Sequence, residues 1–197
     1  MNTVVIATKN KGKVEEFQTL FQPYNIKARS LFDLSKQIAP IEETGSTFEE
    51  NAIIKAEQIS SLLNSTVMAD DSGLVVDALN GQPGVYSARY AGIDSTDEKN
   101  INKVLSEMKG IPMSKRTAKF VCVIAVSEPG EKTFFKKGIC VGHIAYTKAG
   151  TNGFGYDPIF IPAGYDKTMA QLTRAEKNKI SHRTNALNQL KNWLASL

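Results

Sequence analysis

Apolar and polar residues recur along this chain with a period that changes from segment to segment, and each change predicts an element. Val4–Thr8 is a short apolar run, read as a strand. Beyond it Val14, Phe17, Leu20 and Phe21 return at helical spacing behind a capping Asn10. Thr47-x-x-Glu50 is a capping box, and it opens a helix whose Phe48, Ala52, Ala56, Ile59 and Leu63 form one apolar stripe. Pro40 breaks the loop before it, which runs to Gly45. Thr66–Ala69 predicts a second buried strand that runs straight into Asp70-Asp71-Ser72-Gly73. Gly81–Gly92 reads as a loop rich in glycine and aromatics, and Thr96–Met108 as a helix. Ala118–Val126 and Thr133–Ala145 predict long strands, joined as an antiparallel hairpin by the turn Glu128-Pro129-Gly130. Gly150–Pro162 is a second Gly-rich loop. A last helix follows Ser181, with Ala186, Leu187, Leu190, Trp193 and Leu194 on one side. Helices mixed with both βα units and a hairpin predict an α/β fold with a mixed sheet. No repeat, linker or low-complexity tract interrupts the pattern, so residues 1–197 read as a single domain.

Composition agrees. The 197 residues, 42% hydrophobic and 22% charged, suit one α/β domain and exclude global disorder. The longest apolar run, Val121–Val126, is six residues, far below the roughly 20 of a membrane span. The N-terminal Met1-Asn2-Thr3-Val4 lacks the basic and apolar regions of a secretory signal. Cys122 and Cys140 fall inside predicted strands, which suggests buried free thiols in a reducing cytoplasm. Two cysteines with His143 and His182 show none of the paired spacings of a zinc site.

The net charge is +4, and its distribution says more than its size. Thr8-Lys9-Asn10-Lys11-Gly12-Lys13 sits at a strand-to-helix turn, where free N–H groups and the positive end of the helix dipole attract anions. Lysines oppose that dipole by roughly 0.3–1 kcal/mol each and become favourable when a polyanion binds, so the turn reads either as a phosphate site or as a solvated basic turn. The turn is not a Walker A loop, because Ala7 and Val14 occupy positions where that motif needs Gly and Ser or Thr. Asp70 and Asp71 are expected at the carboxyl end of a strand, where α/β sheets place ligands. Neighbouring residues of an extended chain face opposite ways, so one of the two is expected to act in catalysis and the other to support the loop. Glu42-Glu43 could add a hard oxygen for Mg²⁺, which takes one or two carboxylates plus substrate phosphate. The same Glu42-Glu43-Thr44-Gly45 resembles the tail of a Nudix box. Ile38-Ala39 stand in place of the Arg-Glu which that box needs, and Pro40 would break its helix, so the Nudix reading fails.

Ser181-His182-Arg183 again puts cations in a first helical turn, with Lys177 one turn upstream behind the capping box Thr173-x-x-Glu176. Such donors suit carbonyl oxygens, including the O6 edge of a purine. In Thr151-Asn152-Gly153-Phe154-Gly155-Tyr156-Asp157-Pro158, flanking glycines let Phe154 stand in a loop where a base could stack. Two cationic helix starts, a carboxylate cluster and an aromatic Gly-rich loop together describe a Mg²⁺–nucleotide site. Lys115-Arg116 and Lys136-Lys137 flank strands and read as solvated faces.

Six ordered segments carry a resemblance. They are Thr8–Lys13, Glu42-Glu43-Thr44-Gly45 with Phe48-x-x-Asn51-Ala52-x-x-Lys55-Ala56, Ala69–Leu74, Pro83–Tyr90, Gly153–Pro158 and Ser181–Arg183. In that order the chain closely resembles the inosine/xanthosine triphosphate pyrophosphatases from residue 4 to about 194. The resemblance implies a long, mixed, strongly twisted sheet dividing two lobes, a nucleotide in the cleft between them, and a homodimer. It implies Mg²⁺-dependent hydrolysis of ITP, dITP and XTP to the monophosphate and pyrophosphate. Carried over by position, Thr8, Lys9, Asn10, Lys11, Gly12 and Lys13 hold the triphosphate, with Lys55 nearby. Glu42 and Asp71 serve the metal, and Asp71 is the general base. Ser72 and Lys177 contact the substrate, Phe154, Gly155, Tyr156 and Asp157 hold the base, and His182 and Arg183 read its oxygens. A pyrophosphatase for modified pyrimidine triphosphates is the nearest alternative. A nucleic-acid-binding module fits less well, since the cations cluster with carboxylates and glycines instead of forming a stripe.

Overall fold

A computed structural model of the chain describes residues 2–34, 38, 39 and 41–196; Pro40 lies outside them. The elements in chain order are β1 (Asn2–Ile6), α1 (Lys11–Phe21), β2 (Ile26–Ser30), α2 (Phe48–Leu63), β3 (Val67–Val76), α3 (Asp97–Glu107), β4 (Thr117–Ser127), β5 (Phe134–Ile144), β6 (Phe160–Pro162), α4 (Arg174–Ile180), α5 (His182–Asn188) and α6 (Lys191–Ser196). The strands form one mixed sheet in the order β2-β1-β3-β4-β5-β6. β1 runs parallel to both β2 and β3, and β5 antiparallel to β6. Neighbouring β4 and β5 are joined through 128–133, too short for a parallel crossover, so they form the expected hairpin.

By packing, the chain resolves into two compact units. One comprises 1–71, 122–138 and 186–197, the other 72–121 and 139–185. In the first, Val4, Ile6, Phe17, Met68, Ile124 and Leu190 belong to one buried cluster. In the second, Leu74, Val104, Met108, Phe120, Ile144 and Phe160 do. Among the described residues no helix is long and apolar enough to cross a membrane.

The helix starts follow local chemistry. Asn10 Oδ1 accepts from the Lys13 N–H at 3.1 Å and caps α1, which buries Val14, Phe17 and Phe21. At α2 the box closes both ways, with Glu50 N–H donating to Thr47 Oγ1 and Thr47 N–H to Glu50 Oε2, each at 3.2 Å. Glu50 Oε2 also accepts from Ser46 N–H at 2.7 Å and Ser46 Oγ at 2.9 Å. The helix ends at Asn64, which takes the left-handed conformation at φ 47°.

The structure departs from the sequence reading in several places. Thr66–Ala69 is not a strand ending in a turn: β3 continues through Asp70-Asp71-Ser72-Gly73 to Val76. Gly73 supplies no bend. A Cβ there would lie 2.3 Å from Ser87 Oγ and 2.5 Å from Gly84 O, so glycine is needed for the close approach of a neighbouring segment. β1 ends at Ile6, because Thr8 N–H turns back onto Ile6 O at 2.8 Å. β2, which no sequence signal announced, pairs with β1 along its whole length. The end of the second Gly-rich loop forms the short strand β6. The last helix is two, α5 and α6, because Gln189 and Leu190 N–H bond three residues back, to Ala186 and Leu187 O, in a tighter turn. Arg116, expected on a solvated face, is 2% exposed and donates to the carbonyls of Met108, Ile111, Ile144 and Ala145.

Candidate active site

In the first unit, α1, α2 and the middle of β3 bring lysines and carboxylates together. Asp70 Oδ2 meets Lys13 Nζ at 3.1 Å. Asp71 Oδ1 meets Lys55 Nζ at 3.3 Å, and the same ammonium reaches Glu43 Oε1 at 3.0 Å and donates to Asp70 O at 2.8 Å. The two aspartates thus address different helices, as the alternation of strand side chains requires. Lys13 in the first turn of α1 is offset against the dipole by a buried carboxylate. Lys9 Nζ donates to Ile38 O at 3.0 Å, Lys11 is exposed, and Thr8 and Gly12 are half-buried.

Glu42, which the resemblance assigns to the metal, is exposed, whereas Glu43 bonds Lys55. Exposure alternates through 41–45, so the two glutamates face different surroundings. Asn51 received no role from the sequence. It is fully buried, its Nδ2 donates to Asp71 Oδ2 at 3.3 Å, and its Oδ1 accepts from Gly45 N–H at 2.8 Å. Its spacing of four from Lys55 on α2 was the available signal, because residues i and i+4 share a helix face.

Burial pushes the Asp71 carboxyl above its ordinary range, a rise that Lys55 and Lys13 oppose and that Glu43 and Asp70 reinforce. Lys55 is held above its usual range despite burial, by Asp71, Asp70 and Glu43. Asp70, Asp71 and Glu43 thus share the Lys13 and Lys55 ammonium groups. Among the described residues no group of three His, Cys, Asp or Glu side chains forms a metal cage. The donor set nevertheless suits Mg²⁺, which takes hard oxygens from one or two carboxylates and the rest from phosphate and water. Glu43 and Asp71 already turn oxygens toward one cation, the Lys55 ammonium.

In the second unit, Asp157 Oδ2 accepts from Lys177 Nζ at 2.6 Å and from the Phe154 N–H at 3.0 Å. Lys177 Nζ also lies 4.9 Å from the centre of the Phe154 ring. Gly153, at φ +78°, leaves room for this arrangement, since a Cβ would fall 2.0 Å from Asp157 Oδ2. Tyr156 is buried and donates to Ser87 O at 2.8 Å. Ser181 caps α5 by accepting from Thr184 N–H at 3.2 Å. The His182 ring stacks on Phe120 at 4.9 Å, and Arg183, fully buried, donates to Ser72 Oγ at 3.2 Å. Asp71 therefore belongs to the lysine–carboxylate set, and the next residue of β3, Ser72, to the set around Arg183.

A sequence model of the Ham1 family matches residues 4–193. A protein of Oceanobacillus iheyensis named dITP/XTP pyrophosphatase is 56% identical over 197 residues, covering 100% of both chains. Among solved structures, the Ham1 protein of Staphylococcus aureus is 49% identical with a TM-score of 0.86, covering 99% of each chain. A HAM1 protein from Coxiella burnetii is 44% identical with a TM-score of 0.87 over 100% of both.

Proposed function

This chain belongs to the Ham1 family, and we propose that it hydrolyses the non-standard purine triphosphates ITP, dITP and XTP to the monophosphate and pyrophosphate. The reading takes residues 1–197 as one pyrophosphatase domain, acting in the cytoplasm as a homodimer with Mg²⁺. The observation that carries it is the buried Asp71 carboxylate, bonded to Lys55 and Asn51, in a chain so similar to named dITP/XTP pyrophosphatases.

Lys9, Lys11, Lys13 and Lys55, with the turn N–H groups of Thr8–Lys13, receive a triphosphate of charge about −4. Asp71 and Glu43 would hold Mg²⁺, which when bound would neutralise the charge that collects on the leaving pyrophosphate. Glu43 is preferred over Glu42 here because of its bond to Lys55. Asp71 takes a proton from water as the water oxygen bonds to the α-phosphorus. The bond from that phosphorus to the bridging oxygen breaks, and pyrophosphate departs. Asn51 holds the second Asp71 oxygen and so fixes the direction of the base. The purine stacks on Phe154 and is held by Gly155, Tyr156, Asp157 and Lys177, with Ser72 contacting the substrate. His182 and Arg183 donate to the 6-oxo group. Adenine would turn its amino group toward those donors, leaving groups unpaired at roughly 1–3 kcal/mol each.

Purified protein with Mg²⁺ and ITP will release pyrophosphate and not single phosphates, and initial rates will favour ITP and XTP over ATP and GTP. Equal rates for the four, or a preference for dUTP, UTP or dTTP, would remove the purine assignment. Salt-sensitive binding of DNA or RNA without any hydrolysis would remove the enzyme.

The pH profile carries a second expectation. Asp71 works deprotonated, so kcat/KM will fall on the acid side as this carboxyl, raised by burial, takes up a proton. Lys55 opposes that rise. Lys55→Met will therefore move the acid midpoint to higher pH, apart from any loss in KM. A midpoint unmoved or lowered in this variant contradicts the coupling.

A further inference from the structure

The loop carrying Phe154 is held at two successive backbone N–H groups by two carboxylates from different places in the chain. Phe154 N–H donates to Asp157 Oδ2 at 3.0 Å, and Gly155 N–H donates to Asp97 Oδ2 at 2.7 Å. Asp157 comes from the loop itself and is shared with Lys177. Asp97 comes from the first turn of α3, 58 residues away and outside every motif of the sequence. As an acid at a helix start it would ordinarily be explained by the dipole alone. Its bond to Gly155 gives it a further task.

The rest of α3 makes Asp97 a firm anchor. Ile101 and Val104 on the same helix are buried in the second unit's core. Asn100, 3% exposed, accepts from Ala91 N–H at 2.8 Å and donates to Ala88 O at 3.2 Å. Glu98 pairs with Lys148, just ahead of the Gly-rich loop. Gly153 and Gly155 both have positive φ, at +78° and +58°, so the ring between them has little conformational restraint from its own neighbours. With glycine on each side, the position of the Phe154 ring depends on what binds the adjacent N–H groups.

We propose that Asp97 is a positioning residue for purine recognition: it fixes the Phe154 loop by accepting the Gly155 N–H, and so sets where the base stacks. This inference rests on the reading of Phe154 as the base platform.

The test compares Asp97→Ala with Asp97→Asn, since asparagine keeps an oxygen acceptor and loses the charge. In Asp97→Ala, KM for ITP will rise about tenfold with kcat within about twofold, the scale of one charge-assisted hydrogen bond. Without nucleotide, the Gly155 amide will exchange with solvent at least about tenfold faster, because its acceptor is gone. Asp97→Asn will recover about half of both effects on the free-energy scale, since a neutral acceptor is roughly half as strong, and a role confined to the helix dipole would allow no recovery. Phe154→Ala serves as the reference and will raise KM whether or not Asp97 acts on the loop. An unchanged Gly155 exchange rate in Asp97→Ala overturns the proposal, as does an unchanged KM there while Phe154→Ala raises it. If Phe154→Ala itself leaves KM unaltered, the base-platform reading fails and the inference falls with it.

Discussion

Asp71→Asn is expected to lower kcat for ITP by roughly 10²–10⁴-fold, the range associated with removing a positioned general base. Asparagine has nearly the shape of aspartate, and its oxygen can still accept from Lys55, so the fold will be kept. The Asn51 Nδ2 donor, now 3.3 Å from a carboxylate oxygen, will face an amide group. The variant also loses a carboxylate oxygen that would hold Mg²⁺, so its requirement for Mg²⁺ will rise together with the fall in rate. Circular dichroism and thermal unfolding will report an intact protein, and single-turnover assays with saturating Mg²⁺ will report the chemical step. A variant turning over ITP within about threefold of the parent would exclude Asp71 as the base.

Arg116→Leu is expected to give the largest loss of stability. Its guanidinium serves the carbonyls of Ile144 at 2.7 Å, Met108 and Ala145 at 2.8 Å and Ile111 at 3.3 Å, and lies 4.7 Å from the Tyr146 ring centre. Leucine leaves four buried or half-buried carbonyls without that donor. Met108 O keeps the Ile111 N–H at 3.2 Å, so at the lower end of the penalty for an unsatisfied group, about 1 kcal/mol for each of the other three, the loss is about 3 kcal/mol. Arg116→Lys will recover only part of it, because an ammonium is a point donor and cannot span four acceptors as the planar fork does. Denaturant titration measures the difference, and activity per folded molecule will be little changed. A loss below about 1 kcal/mol in Arg116→Leu would show that water replaces the guanidinium easily.

Periodicity carried the reading of α1 and α2 because each has a capping side chain and an apolar face, features encoded within one turn of the residues concerned. The hairpin strands β4 and β5 were legible for a similar reason, with long apolar segments on each side of a Pro-Gly turn. β2 was not, since Ile26-Lys-Ala-Arg-Ser30 has only two strongly buried apolar positions and owes its conformation to pairing with β1. Asp70-Asp71-Ser72-Gly73 has the composition of a turn, yet the ladder around it keeps the chain extended. Its glycine answers to Ser87 and Gly84, which are distant in sequence. Arg116 misled because beside Lys115 it looks solvated, whereas two of the carbonyls it serves, Ile144 O and Ala145 O, lie 28 and 29 residues away at the end of β5 and just past it. At the candidate site, residue types and order were visible in the motifs. Which of Glu42 and Glu43 reaches Lys55, and what Asn51 holds, depended on three-dimensional placement.

The cap on α2 has a consequence beyond holding a helix end. Ser46, Thr47 and Glu50 between them make four hydrogen bonds that define which residue begins the helix. Each residue of an α-helix advances about 100° around the axis, so starting one position early or late would rotate every later side chain by that angle. Asn51 and Lys55 would then swing away from Asp71 with no change in sequence or in helix content. The capping box is therefore an angular reference for the chemistry, a dial stop that keeps an amide and an ammonium in phase with the strand they serve.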